Sequence, residues 1–221
     1  IKDVCEVVAV CDVYEDRVGN AQKKVEEKTG KKPDGYTDYL ELLKNPDVEA
    51  VLIVSSWDEH TRMAVNAMKA GKITALEVSG AYDVEDCWEL VRTYEETKTP
   101  IMFMENCCFD EFELLSTSLA RSGKLGEIVY CHGAYAHELC DEIAGGKVNR
   151  HYRLENYKRR NCENYPTHEL GPIARLLNIN RGNKMLSLTS VASKQVALND
   201  YVDNDEKNPD KSLKGTKFAQ G

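Results

Sequence analysis

Along the first half of the chain, hydrophobic positions switch repeatedly between a strand period and a helix period. Val4 to Val10 is a run of β-branched and small residues ending in Cys11-Asp12, and Arg17 to Thr29 follows with the spacing of a charged amphipathic helix closed by Gly30. A short helix is expected over Tyr39 to Lys44 and a turn at Asn45-Pro46-Asp47. Ala50 to Ser55 reads as a continuous apolar strand of the kind buried on both faces of a parallel sheet. Thr61 to Ala70 returns to the helical period and stops at Gly71. Strand Ile73 to Val78, helix Val84 to Thr97 and, after Pro100, strand Ile101 to Glu105 complete the series. Strand and helix in alternation predict right-handed βαβ units around a parallel sheet, an α/β fold of Rossmann type whose ligands bind beyond the carboxyl ends of the strands. Asp12, Ser55-Ser56-Trp57, Glu77-Val78-Ser79 and Glu105-Asn106 all fall at such ends.

From Glu111 the pattern changes. A helix to about Ser122 is closed by Gly123, and a strand is expected from Glu127 to Tyr135. Glu138 to Asn164 is a polar stretch without clear periodicity, read as a long loop of functional or disordered character. Tyr165-Pro166-Thr167-His168 ends it and leads into an apolar helix, Leu170 to Leu177. Asp203 to Gly221, rich in Asp, Asn, Lys and Gly, reads as a solvated loop or tail. The change of pattern places a domain boundary near residue 108, giving a nucleotide-binding part over 1–108 and part of an α+β substrate or oligomerisation domain over 109–221.

Composition narrows the function. With 221 residues, 42% hydrophobic and 30% charged, the chain can bury a real core. A net charge of −8 argues against a nucleic-acid surface, which needs clustered Lys and Arg. The dense basic run Lys158-Arg159-Arg160 is flanked by Glu155 and Glu163 and reads as a solvated turn. No stretch approaches the roughly 20 apolar residues of a membrane span. Ile1 to Val13 reads as a strand interrupted by charges, without the layout of a signal peptide. Because the chain is expected to begin inside a fold, localisation stays open between cytoplasmic and exported. The eight cysteines form no zinc-like pairs. Cys5 and Cys11 are expected as buried thiols on a strand. Cys131, His132, His137 and Cys140 are a candidate ligand set, but along a strand Cys131 and His132 point to opposite faces. No metal is expected.

An acidic residue ending the second strand of a Rossmann unit hydrogen-bonds the ribose hydroxyls and repels a 2′-phosphate, favouring NAD over NADP. Asp12 ends the first strand here, and no G-x-G-x-x-G occurs in the chain. The two fit together if the fold's first βα unit, with its glycine-rich turn, lies upstream of Ile1. The other reading of Asp12 is an acid that merely opens a loop.

Trp57-Asp58-Glu59-His60, Glu77-Val78, Glu105-Asn106 and Tyr165-Pro166-Thr167-His168 resemble the Gfo/Idh/MocA oxidoreductase superfamily, and within it the NAD-dependent glycosidases of glycoside hydrolase family 109, the α-N-acetylgalactosaminidases. The resemblance runs from about Glu6 to Val202. Its strongest stretch is Asn164 to Asn183, which contains YPTHELGPIARLLNINRGN. It implies NAD held by Asp12, Trp57, Asp58, Glu59, His60, Glu77, Val78 and Asn106. It implies sugar contacts at Tyr135, Arg153, Tyr165, Pro166, Thr167 and His168, with His168, Tyr165, Tyr135 and Glu105 as catalytic residues. Most dehydrogenases of the superfamily carry Glu-Lys-Pro where this chain has Glu77-Val78-Ser79, and the missing Lys agrees with the glycosidase branch. The implied reaction differs from the two-carboxylate scheme of ordinary glycosidases. NAD removes hydride from C3 of the sugar, C2 loses a proton and C1 expels the aglycone, water adds, and the hydride returns.

The resemblance further implies a small-molecule or glycan substrate and a homo-oligomer when complete. The 221 residues alone are expected to hold NAD poorly and to be inactive, because the helix N-terminus that grips the pyrophosphate is missing. Plainer readings stand beside these. Thr167 can be a helix N-cap with His168 as first-turn decoration, Tyr135 can be core, Glu105 a structural buried acid, Trp57 packing, and His60 a cap of the following helix. Two other functions compete: a sugar dehydrogenase of the same superfamily, and a non-catalytic nucleotide-binding module.

Overall fold

A computed structural model describes residues 4–221. Residues 1–3, on which part of the reading of Ile1 to Val13 as an interrupted strand falls, lie outside the described residues. Two compact units divide the chain after Met104.

The first unit is α/β. Strand β1 (Ala9–Cys11) leads into helix α1 (Glu15–Thr29), strand β2 (Asp34–Tyr36) and helix α2 (Tyr39–Leu43). Strand β3 (Ala50–Ile53), helix α3 (His60–Lys69), strand β4 (Ile73–Leu76), helix α4 (Val84–Thr97) and strand β5 (Ile101–Phe103) follow. β1 pairs with β2, and β3, β4 and β5 form a second sheet in that order, every pair parallel. Strand β2 was not foreseen. Asp34-Gly35-Tyr36 has little intrinsic β preference and is extended because it pairs with β1, Ala9 against Asp34 and Cys11 against Tyr36. Asp38 caps α2 by accepting from the Leu40 N–H at 2.8 Å, and Asp83 caps α4 by accepting from Asp86 at 2.9 Å.

The core of this unit lies where α3 and α4 cover one face of the β3–β4–β5 sheet, with Ile53, Ala64 and Leu76 buried against Val51, Met63, Leu90 and Ile101. The expectation of burial on both faces fails at β3. Leu52 is 62% exposed and Val54 is exposed as well, since alternate side chains point to the face that no helix of this unit covers. Cys5 and Cys11 are likewise exposed rather than buried, as the short β1 leaves them outside the core.

The second unit opens with a 3₁₀ turn, Asn106–Phe109. Helices α5 (Glu111–Arg121), α6 (Cys140–Ala144), α7 (Arg153–Arg159), α8 (Pro166–Leu176) and α9 (Ala197–Asn204) follow, and a second 3₁₀ turn, Lys211–Leu213, comes near the end. Three expectations are overturned here. No strand forms over 127–135: the segment carries no regular secondary structure and makes no ladder, Val129 is 90% exposed, and a strand exists only through a partner. The expected loop over 138–164 contains α6 and α7, each under two turns long and too short to show a helical period. Lys158 and Arg159 sit in the last turn of α7, paired with Glu155, not in a turn between elements. The expected tail, 203–221, is built into the fold. Leu213 and Phe218 are buried with Ile143, Ala144, Leu154, Leu198 and Val202, and the Ala219 N–H donates to Tyr157 C=O at 2.9 Å. None of the helices among the described residues is long and apolar enough to cross a membrane.

Candidate functional site

In the second unit, α8 begins four residues before the expected Leu170, with Pro166 in its first turn. Proline is preorganised for that position, where its absent N–H costs nothing. Tyr165 is therefore the N-cap, and Thr167 is inside the helix rather than capping it. One turn of helix then brings the Tyr165 and His168 rings into a stack, with centroids 5.0 Å apart and planes 3° from parallel. The Tyr135 ring meets the same imidazole edge-on at 4.5 Å, and Tyr165 at 5.7 Å. His168 is thus held between two tyrosines.

Its Nδ1 lies 2.7 Å from Glu105 Oε1, and the two side chains are only 8% and 7% exposed. Glu105 occupies the first position after Met104, and its Oε1 also accepts from the Cys107 N–H at 3.0 Å. Burial pushes its carboxyl upward. The nearby Thr167 hydroxyl, the His168 contact and the Cys107 N–H more than offset that and leave it below the usual carboxylate range. Oε2 and the Thr167 hydroxyl nevertheless complete no hydrogen bond of normal geometry.

Gly171, one turn further along α8, explains how the 3₁₀ turn comes so close. A Cβ there would stand 2.8 Å from Cys108 Sγ and 3.2 Å from Glu105 Cγ. Gly133 plays the matching part for the segment over 127–135, since its Cβ would lie 2.8 Å from Glu169 Cβ. Between α5, residues 131–134 and α8 the unit carries a cleft of about 310 Å³, with His168 and Glu169 on its wall.

Arg153, at the start of α7, donates to the Tyr165 hydroxyl and to the Glu142 carboxylate, and His151 Nε2 lies 3.6 Å from the same carboxylate. Burial lowers the Arg153 pKa, but Tyr165, Tyr152 and Glu142 outweigh it and keep the guanidinium charged. Burial pushes the Tyr135 phenol up. Burial, then the Glu105 charge, pushes the Cys107 thiol up to about 11, so Cys107 is no thiolate nucleophile at neutral pH.

The structure therefore brings Glu105, Tyr135, Arg153, Tyr165, Thr167 and His168 together, while Pro166 is exposed at the helix start. Sequence reasoning missed Cys107 and Glu142. Cys107 carried a weak signal, two residues after a strand-end acid, whereas Glu142 lay inside the supposed loop and carried none.

The residues expected to hold a nucleotide fall on the first unit, except Asn106, which is exposed on the 3₁₀ turn of the second. Asp12 follows β1, accepts from the Tyr14 N–H at 2.9 Å and lies 3.7 Å from Arg17. Trp57 is buried and Asp58 exposed after β3, and Glu59 pairs with Arg62. His60 is 1% exposed and donates through Nε2 to the Ser55 C=O at 3.1 Å, bracing the turn from β3 into α3. Burial holds its pKa down, partly countered by that carbonyl. Glu77 and the buried Val78 follow β4, the Glu77 N–H bonded to Ile53 C=O at 3.0 Å. A partly exposed carboxylate beyond one strand end and apolar walls beyond two others suit a ribose diol and a flat ring, so the donor set fits a dinucleotide.

Residues 110–221 match the C-terminal domain of glycosyl hydrolase 109. The chain belongs to glycosyl hydrolase family 109. Residues 2–104 match the oxidoreductase family with the NAD-binding Rossmann fold, so the family's two parts correspond to the two units. The chain is 39% identical over 205 residues to an alpha-N-acetylgalactosaminidase of Bacteroides fragilis, covering 89% of this chain and 48% of that protein. It is 38% identical to glycosyl hydrolase family 109 protein 1 of Akkermansia muciniphila over 80% of this chain and 38% of that one. The chain spans about half the length, or less, of these curated relatives. Among solved structures, the scyllo-inositol dehydrogenase of Lactobacillus casei with bound NAD(H) and scyllo-inositol superposes with a TM-score of 0.57 at 18% identity, over 76% of this chain and 47% of that one. That likeness concerns the fold alone.

Proposed function

We propose that this family 109 chain serves an NAD-dependent glycosidase that removes N-acetylgalactosamine-type sugars without net oxidation. The observation that carries the reading is the Tyr135–His168–Tyr165 cluster with Glu105 on His168 Nδ1. Hydrolysis through a transient C3 ketone needs movable protons beside C2 and C3 rather than two carboxylates flanking C1, and this cluster is rich in the former. When bound, NAD supplies reversible hydride acceptance at C3; Asp12, residues 57–60, Glu77, Val78 and Asn106 would hold it.

The chain's own side chains do the rest. Glu105 accepts from His168 Nδ1, which fixes the imidazole tautomer and leaves Nε2 as the proton acceptor. His168 and Tyr165 handle the protons at C2 and the C3 hydroxyl, since a ketone at C3 makes the C2 proton removable. Tyr135 serves the C2 or leaving-group side. Arg153, held by Glu142, donates to the Tyr165 hydroxyl and fixes the sugar.

The test is an assay of the full open reading frame encoding this chain on a chromogenic α-N-acetylgalactosaminide, with NAD stripped and then restored. Aglycone release that requires NAD while no NADH accumulates supports the reading. NADH accumulation without cleavage replaces it with a sugar dehydrogenase, and neither signal removes the substrate.

A further inference from the structure

One group near His168 has no part in the proposed reaction. Cys107 sits on the 3₁₀ turn, partly exposed, with a sulfur that the Asn106 amide approaches at 3.8 Å. One donor atom each from Glu105, Cys107 and His168 lie within 4.8 Å of one another, the metal-competent cluster found among the described residues. The set shares no residue with Cys131, His132, His137 and Cys140.

We propose that Glu105, Cys107 and His168 form a chelating site for a thiophilic divalent cation such as Zn²⁺ or Cd²⁺. The ligand set is one sulfur, one imidazole nitrogen and one carboxylate oxygen, three protein ligands with an open fourth position, as in catalytic-type zinc sites. At zinc bond lengths of about 2.0–2.3 Å, such donors stand roughly 3.2–3.7 Å apart, so separations of up to 4.8 Å need to close by about 1 Å, while the 2.7 Å Glu105–His168 contact opens where those two atoms are the ligands. Two of the three ligands are already fixed. His168 is clamped between Tyr135 and Tyr165, and Glu105 is anchored by the Cys107 N–H through Oε1. A second feature points the same way: Glu105 Oε2 is a carboxylate oxygen in a side chain 7% exposed that has no hydrogen bond of normal geometry, even with the Thr167 hydroxyl near the carboxylate. Such an atom costs stability unless something positive or donating fills its place.

The binding step balances simply. As the sulfur–metal bond forms, the Cys107 thiol proton leaves to solvent; His168 binds as the neutral imidazole through its unprotonated ring nitrogen, its proton shifting to Nε2 where Nδ1 is the ligand, and thiolate and carboxylate together cancel the two positive charges of the ion. The ion occupies the imidazole that the proposed reaction uses, so its consequence is inhibition. That consequence rests on the proposed function; the binding does not.

The test is titration of the 221-residue chain with Co²⁺ in the absence of NAD and glycoside, followed by its thiolate-to-cobalt charge-transfer band. The expected result is a band saturating at one equivalent, abolished by Zn²⁺, lost in C107S and kept in C162S. No band, or a band that survives in C107S, overturns the site. Should C107S fail to fold by circular dichroism, alkylation of the wild-type chain by iodoacetamide decides, read at Cys107 by peptide mass spectrometry. Zn²⁺ protection supports the site, and equal labelling with and without Zn²⁺ overturns it. These readouts involve no turnover, so a failed glycosidase assay leaves them standing, and a missing metal site leaves the glycosidase reading standing.

Discussion

The carboxylate on His168 is the residue-scale feature with the sharpest consequence. A buried imidazole whose Nδ1 is bound by an anion is held in one tautomer with Nε2 left to accept a proton, the arrangement that hydrolytic triads exploit. Replacing Glu105 by Gln keeps the size but offers an amide that can donate to Nδ1 as readily as accept from it. We expect E105Q to lower kcat by about 10²-fold or more with KM little changed, since general acid–base groups contribute about 10²–10⁴-fold. H168A should abolish turnover while NAD affinity, measured by fluorescence titration, stays as in the wild type. Active H168A would remove His168 from the mechanism. At Tyr165 the phenol matters only if its proton moves. Y165F keeps the ring stacked on His168 but loses the contact to Arg153, so its melting temperature should fall little while kcat falls steeply.

At the scale of elements, periodicity was legible wherever an element is long and amphipathic. Helix α4 begins and ends where its pattern predicts, and α1, α3 and α5 differ only by a residue or two at their ends. What the pattern could not convey is pairing. β2 exists because β1 lies beside it, and 127–135, with a respectable strand pattern, finds no partner among the described residues. Helices α6 and α7 are held by tertiary burial of Ile143, Ala144 and Leu154 rather than by any period of their own. Gly171 belongs to this scale, because it sets how closely α8 approaches the 3₁₀ turn. Gly to Ala inside a helix normally stabilises, by roughly 0.5–1 kcal/mol. Here the added methyl meets Cys108 Sγ and Glu105 Cγ. G171A is therefore expected to destabilise by about 1–3 kcal/mol, the usual cost of overpacking, in urea unfolding, and to impair turnover in parallel by displacing Glu105. A stabilised, fully active G171A would show that the approach is slack.

On the scale of the molecule, the site was only half visible in the sequence. The Tyr165–His168 pair could be read because one helical turn joins it, whereas Glu105 reaches His168 across 63 positions, a distance that no local pattern encodes. The two units also carry separate responses to acid, and these can be told apart. In the first unit burial depresses the His60 pKa below its ordinary 6.5. The unfolded chain then binds a proton that the folded unit refuses, so stability is full above that value and declines as pH falls beneath it. In the second unit Glu105 is depressed below its ordinary 4.5. Its contribution is therefore intact above that value and is lost only as pH falls through the lower folded pKa. Acidification from about pH 7.5 to about pH 5.5 should weaken the first unit while leaving the Glu105 contribution whole. Urea unfolding followed by hydrogen exchange on peptides from α3 and from α8 separates the two. In that interval α3 peptides should lose protection and α8 peptides should hold theirs, and H60Q, which cannot take up the proton, should flatten the α3 response. An α3 response unchanged by H60Q would mean that other groups of the first unit govern its acid sensitivity.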